Sequence, residues 1–127
     1  MSDKKINKKY LPASLSKTDR AKQKKSIEEK KERPKVKSFK SKRSSYVERF
    51  EKRYGYKINN LTRISNEIIS RTGINKILDK GMGAYYSSGS RPNQTARSWS
   101  LARLASVIVG GPARKVDSDI WNKYKKN

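Results

Sequence analysis

Thr95-Ala96-Arg97-Ser98-Trp99-Ser100-Leu101-Ala102-Arg103-Leu104-Ala105-Ser106-Val107-Ile108-Val109 decides how this chain is read. Trp99, Leu101, Ala102, Leu104, Ala105, Ile108 and Val109 recur at helical spacing and form a broad apolar face. Thr95 is a good first cap, and Gly110-Gly111-Pro112 is a stop. No stretch alternates apolar and polar residues well enough for a strand. The expected class is all-α, a small bundle of about five short helices with a long basic, extended N-terminal arm.

Working downstream, Arg114-Lys115 reads as a basic link. A last short helix starts near Asp117 or Ser118, with Ile120, Trp121 and Tyr124 as its apolar contacts. Upstream lies Lys80-Gly81-Met82-Gly83-Ala84-Tyr85-Tyr86-Ser87-Ser88-Gly89-Ser90-Arg91-Pro92-Asn93-Gln94-Thr95, dense in residues with special backbone demands. It reads as a shaped loop. Before it, Ile74, Ile77 and Leu78 make one short helical turn closed by Gly81. Asn60 caps a helix with Leu61, Ile64, Ile68 and Ile69 on one face, ended by Gly73. Ser45-x-x-Glu48 is a capping box for a helix carrying Tyr46, Val47, Phe50 and Tyr54, closed by Gly55. The expected core is Val47, Phe50, Ile64, Ile68, Ile77, Leu78, Trp99, Leu101, Leu104, Ile108, Ile120 and Trp121, enough for one small domain over residues 44–127. A helix-turn-helix over Asn60–Lys80 is disfavoured, because its second helix would end at Gly81.

Residues 1–43 differ in kind. They carry 17 Lys and Arg against 5 acids, and their apolar residues are sparse and unperiodic. Such a segment buries too little to offset its own ordering entropy. It is expected to be an arm, extended or partly helical and ordered by partners. One helix is expected within it, starting at Ser16-Lys17-Thr18-Asp19 and stopping before Pro34. With Ala21 and Ile27 as nearly its only apolar candidates, that helix would be solvated or bound to something else.

The whole chain of 127 residues has 33 Lys and Arg, 11 Asp and Glu and a formal charge of +22. That excess attracts polyanions. It has no Cys and no His, which excludes disulfides and zinc sites built on thiolate or imidazole, and removes the usual general base near neutral pH. The first residues open no apolar run of the kind a signal peptide needs. No stretch reaches the ~20 apolar residues of a bilayer span. No membrane span, cofactor, metal site or small-molecule substrate is expected.

Two sets of residues are candidates for contact. The basic run Lys22, Lys24, Lys25, Lys30, Lys31, Arg33, Lys35, Lys37, Lys40, Lys42 and Arg43 is a candidate polyanion or partner contact. Its aromatics, Tyr10 and Phe39, are too few for base stacking, so phosphate contact without sequence readout is expected. The second set is Tyr85, Tyr86, Ser87, Ser88, Arg91, Thr95 and Arg97. The glycines there invite a phosphate-binding reading, but Tyr86 stands where a dinucleotide fingerprint needs its third glycine, and no Gly-Lys-Ser/Thr follows. What remains open is an anion nest with a helix N-terminus beside it, or glycines that serve a tight loop with the tyrosines packed inward. The serines lack an activating base, and Asp117-x-Asp119 reads as helix capping. No catalytic residue is expected.

Tyr10-Leu11-Pro12-x-Ser14-Leu15-Ser16, the Lys80–Thr95 string, Ser98-Trp99, Ala102-Arg103-Leu104-Ala105-Ser106-Val107 and Gly110-Gly111-x-Ala113-x-x-Val116-Asp117 resemble a family of small basic proteins. Large DNA viruses of algae and protists encode it, and its function is unknown. The resemblance implies a viral origin and carries no active site. Taken with the basic arm, the small core and the absence of a catalytic set, that origin points to a non-enzymatic structural component of a large virus particle, a minor capsid or inner virion protein. Its basic arm would tie neighbouring virion or capsid proteins together, with DNA as a further contact. The alternative is an architectural protein that neutralises and packages viral DNA. Either would be found in the virion, assembled in the infected host cell.

Overall fold

The computed structural model describes residues 10–12, 14–31, 44–88 and 94–126. Seven helices run through them: α1 Lys17–Glu28, α2 Ser45–Tyr54, α3 Leu61–Glu67, α4 Arg71–Ser88, α5 Ala96–Val109, α6 Pro112–Val116 and α7 Ser118–Tyr124. Among the described residues the only β feature is one antiparallel bridge, Ile69 with Lys125. The chain is all-α. The extended course expected for the arm lies outside the described residues.

Contacts divide the chain into two compact units that do not follow chain order. One is Arg43–Gly81 with Ser100–Asn127, and the other is Met1–Lys42 with Met82–Trp99. The division falls inside α4 and again inside α5.

The first unit holds the main core. Val47 and Phe50 of α2, Ile64 of α3, Ile74, Ile77 and Leu78 of α4 and Leu104, Val107 and Ile108 of α5 are all buried. Trp121 and Ile120 pack against this cluster while staying partly exposed. Phe50 also meets Tyr54 and Tyr56, with ring centroids 4.8 and 5.5 Å away. The capping signals act close to where the sequence places them. Ser44, one residue before the expected Ser45, accepts a hydrogen bond from the Tyr46 N–H. Gly55 closes α2 at φ +80°, a conformation that only glycine adopts freely. Asn60 accepts from the Arg63 N–H and starts α3.

Three boundaries are corrected. Gly73 does not end α3, which stops at Glu67. Ile68–Ser70 form the turn, and the Ser70 carbonyl and hydroxyl accept from the Ile74 and Gly73 N–H groups to begin α4. Gly73 lies inside α4, where a Cβ would come 2.6 Å from Cβ of Tyr124. Second, Gly81 does not close a short turn. α4 continues through Gly81 and Gly83 to Ser88, so most of the expected loop is helix. Glycine costs about 1 kcal/mol relative to alanine inside a helix, which makes the sequence look broken there. Packing overrides that cost, because a Cβ at Gly81 would sit 2.7 Å from Cα of Ser100 on α5. Third, the expected link Arg114-Lys115 belongs to a helix of its own, α6, opened by Pro112 in its first turn. The described residues from 44 to 126 thus hold six helices where about five were expected.

The helix that follows the Ile68–Ser70 turn has 18 residues, so the expectation that it is too short for a helix-turn-helix does not hold. The turn is tied to the C-terminal segment: the Ser70 N–H donates to Tyr124 O at 3.0 Å. The first two turns of α4 expose Arg71, Thr72, Asn75 and Lys76.

In the second unit, Ser16 caps α1 by accepting from the Asp19 N–H at 3.1 Å, as the sequence predicts. The helix stops at Glu28, well before Pro34, and Lys30 takes a positive φ of 55° at a position usually filled by glycine. α1 is not purely solvated, since Gln23, Ser26 and Ile27 are buried, as is Leu15 just before it. Tyr10 meets Trp99 edge-on at 5.8 Å.

Candidate functional site

The predicted contact residues fall into three groups. Lys22, Lys24 and Lys25 are exposed on α1, with Lys30 and Lys31 just beyond its end. Lys25 and Lys31 both reach Glu29, at 4.0 and 3.1 Å, as solvated pairs of small energetic weight. Arg33, Lys35, Lys37, Lys40, Lys42, Arg43 and Arg91 lie outside the described residues.

Of the remaining residues, Tyr85, Ser87, Thr95 and Ser98 make internal bonds, whereas Tyr86 and Arg97 are exposed. Gly81 and Gly83 are helical, so no anion nest forms between them. Tyr85 is fully buried, and its hydroxyl donates to the Gln94 carbonyl at 2.8 Å. Tyr86 sits edge-on to it at 4.9 Å and stays half-exposed. The Ser87 hydroxyl donates back to the Gly83 carbonyl, a local helix bond. Ser88 is the last residue of α4. Thr95 and Ser98 cap α5 reciprocally, each hydroxyl accepting from the other's N–H at 3.0 Å. Arg97 is exposed on the first turn.

Asp117 stands at the N-cap position of α7, as expected, but its side chain makes no capping bond. It is fully buried, and Arg103 grips it through two bonds, Nε at 2.8 Å and Nη2 at 2.9 Å, with Lys80 Nζ at 3.4 Å. Burial pushes the Asp117 carboxyl up. The hydrogen bonds and charges of Arg103 and Lys80 outweigh that and leave it below its ordinary value. Held by its bond to Asp117, Arg103 moves higher. These residues come from α4, α5 and the junction of α6 with α7, and only folding brings them together.

A cleft lies elsewhere in the same unit. Tyr46 and Arg49 of α2, the Gly110–Pro112 turn, Arg114 and Lys115 of α6, Ser118, Trp121 and Asn122 of α7, and Lys125 line a cleft of about 900 Å³. Four of these side chains are cationic and none is a carboxylate. Arg114 is fixed: its Nε and Nη2 donate to Val107 O and Ile108 O at 2.8 Å, satisfying carbonyls at the end of α5, and its guanidinium stacks over Trp121 at 4.4 Å. Gly110 closes α5 at φ +81°. Gly111 lies against the Tyr46 ring, where a Cβ would meet Cε1 at 2.8 Å, so the aromatic wall sits directly on the turn. Arg49, Lys115 and Lys125 are exposed and have no ion-pair partner among the described residues.

Sequence reasoning missed this cleft. Its cations are spread over residues 49–125 with no run or motif, Trp121 read as core, and Tyr46 read as part of the apolar face of its helix. The one available signal was the pairing of Gly110-Gly111-Pro112 with Arg114-Lys115, which marks a tight basic turn.

One family matches the chain, over residues 5–123: DUF5824, a family of unknown function. No curated protein and no solved structure matches it.

Proposed function

The chain belongs to the DUF5824 family, and from that premise we propose that it is a non-enzymatic basic protein that binds the phosphate backbone of nucleic acid. Its setting in this proposal is the particle of a large DNA virus, where the packaged genome is the polyanion. The observation that carries it is uncompensated charge: 33 cations stand against 11 acids. Charge in that excess disfavours compaction unless a polyanion neutralises it, and each neutralised phosphate releases a counterion.

The competing role is a minor capsid or inner virion protein whose basic segment ties subunits together. It is supported by the basic arm, the small core, the absence of a catalytic set and the viral resemblance, with the Lys80–Thr95 string as a shaped element beside them. Gly81 and Tyr85 now have intramolecular work, against Ser100 and Gln94. Tyr86 of that string stays exposed to a neighbour, while Arg49, Lys115 and Lys125 are exposed cations with no ion-pair partner among the described residues. No helix among the described residues is long and apolar enough to cross a membrane.

The test is DNA affinity of the full chain across salt. The expected result is log K falling linearly with log salt, with a slope of about −0.9 per phosphate neutralised on duplex. Absent or salt-insensitive binding would sink the proposal and return the subunit-tying role.

A further inference from the structure

The cleft sets two aromatic rings among its cations, whereas the basic N-terminal segment has only Tyr10 and Phe39. Tyr46 and Trp121 form part of its wall, and Arg49, Lys115 and Lys125 stand around it with no carboxylate opposite. Its volume of about 900 Å³ falls in the size range of small-molecule pockets, enough for a nucleotide unit and too little for a duplex to enter. Resting on the phosphate-binding reading above, we infer that this cleft seats single-stranded nucleic acid, with a phosphate among Arg49, Lys115 and Lys125 and a base against Tyr46 and Trp121.

The chemistry favours that occupant over others. A duplex covers the faces of its bases with their neighbours, so a recessed ring is reached only by an unstacked base. An acidic peptide would use the cations and leave the rings idle. Stacking on rings accepts any base, which leaves the polar groups of the wall to the sugar and phosphate. The Arg114–Trp121 stack holds the indole in place before ligand arrives: Arg114 is anchored by two carbonyls of α5, so one face of the ring is backed by a fixed cation. A preset ring loses little freedom on binding. Ser118 and Asn122, one helical turn apart on α7, add hydroxyl and amide groups for a sugar-phosphate edge.

The chain has two tryptophans, so the full-length Trp99→Phe protein leaves Trp121 as its single reporter. Titration with an oligothymidylate and with a duplex of equal length, read by fluorescence, is the experiment. The expected outcome is quenching of Trp121 by the single strand, with affinity roughly tenfold above the duplex. Arg49→Glu with Lys125→Glu should weaken single-strand binding by roughly tenfold or more while far-UV circular dichroism stays unchanged. Should that double variant lose helicity, Lys115→Gln is read instead, with a severalfold loss expected. Saturating single-strand binding with no change in Trp121 emission overturns the inference, as does a well-folded charge variant that binds like the parent. Both of those outcomes leave the general phosphate-binding reading standing. A parent protein that binds no nucleic acid removes both, and preference for a polyglutamate peptide over the oligonucleotide replaces the ligand class.

Discussion

Two groups of cations in the same compact unit are used in opposite ways. Arg103 and Lys80 converge on buried Asp117, so their charge goes into holding α4, α5 and the α6–α7 junction together. Arg49, Lys115 and Lys125 surround a cleft with no carboxylate, so theirs stays available. Net charge treats these residues as equivalent. The difference lies in whether a desolvated acid stands within hydrogen-bond reach. The glycines divide in the same way: Gly81 is pressed against Ser100, whereas a Cβ at Gly83 would meet nothing within 4 Å. Inward residues should therefore report on stability and outward ones on binding, and each substitution below tests that division.

The largest effect belongs to Asp117→Asn. It removes the charge that Arg103 grips, and the expected loss is about 3 kcal/mol, because an ion pair broken from one side leaves its partner uncompensated. Urea unfolding at neutral pH measures it. The pH dependence has a definite sign. Asp117 titrates below its ordinary value of 3.8 in the fold, so its contribution is complete above that value and is lost as pH falls through the lower, folded one. The parent should therefore lose stability steeply below about pH 4, and the variant should lack that part of the acid limb. Equal acid limbs would place Asp117 outside the stabilising set.

Gly81→Ala comes next, with an expected cost of about 2 kcal/mol. The new methyl meets backbone at Ser100 rather than a movable side-chain tip. Nucleic-acid affinity at a temperature well below melting should not change. Thr95→Ala removes one side of the reciprocal cap with Ser98 and should cost about 1 kcal/mol. The smallest effect has the opposite sign: Gly83→Ala should raise stability by up to about 1 kcal/mol, because the helix gains propensity at no steric cost. Thermal melts of the two glycine variants side by side decide the matter. Equal shifts would mean that Gly81 is a flexible point and not a packing contact.

Much of the helical pattern was legible. The apolar faces of α2, α3 and α5, the Ser16, Asn60 and Thr95 caps and the stops at Gly55 and Gly110 all follow from periodicity and local backbone chemistry. The misreadings cluster at glycines. Gly73 and Gly81 looked like stops because propensity is a local quantity, while their true neighbours, Tyr124 and Ser100, are 51 and 19 residues away in sequence. The grip on the Asp117 side chain was hidden for the same reason, its partners lying 14 and 37 residues distant.

The sequence by itself determined an all-α chain, its charge excess, the lack of thiolate and imidazole chemistry, and where most helices begin. Each of these depends on composition or on neighbours within one or two helical turns. Tertiary structure alone decided that α4 runs through its glycines, that the Tyr85 ring turns inward, and that one group of cations is matched by a buried acid while another opens onto a cleft with Tyr46 and Trp121. Those outcomes depend on which distant side chain fills the neighbouring space, and on whether water remains there to solvate a charge.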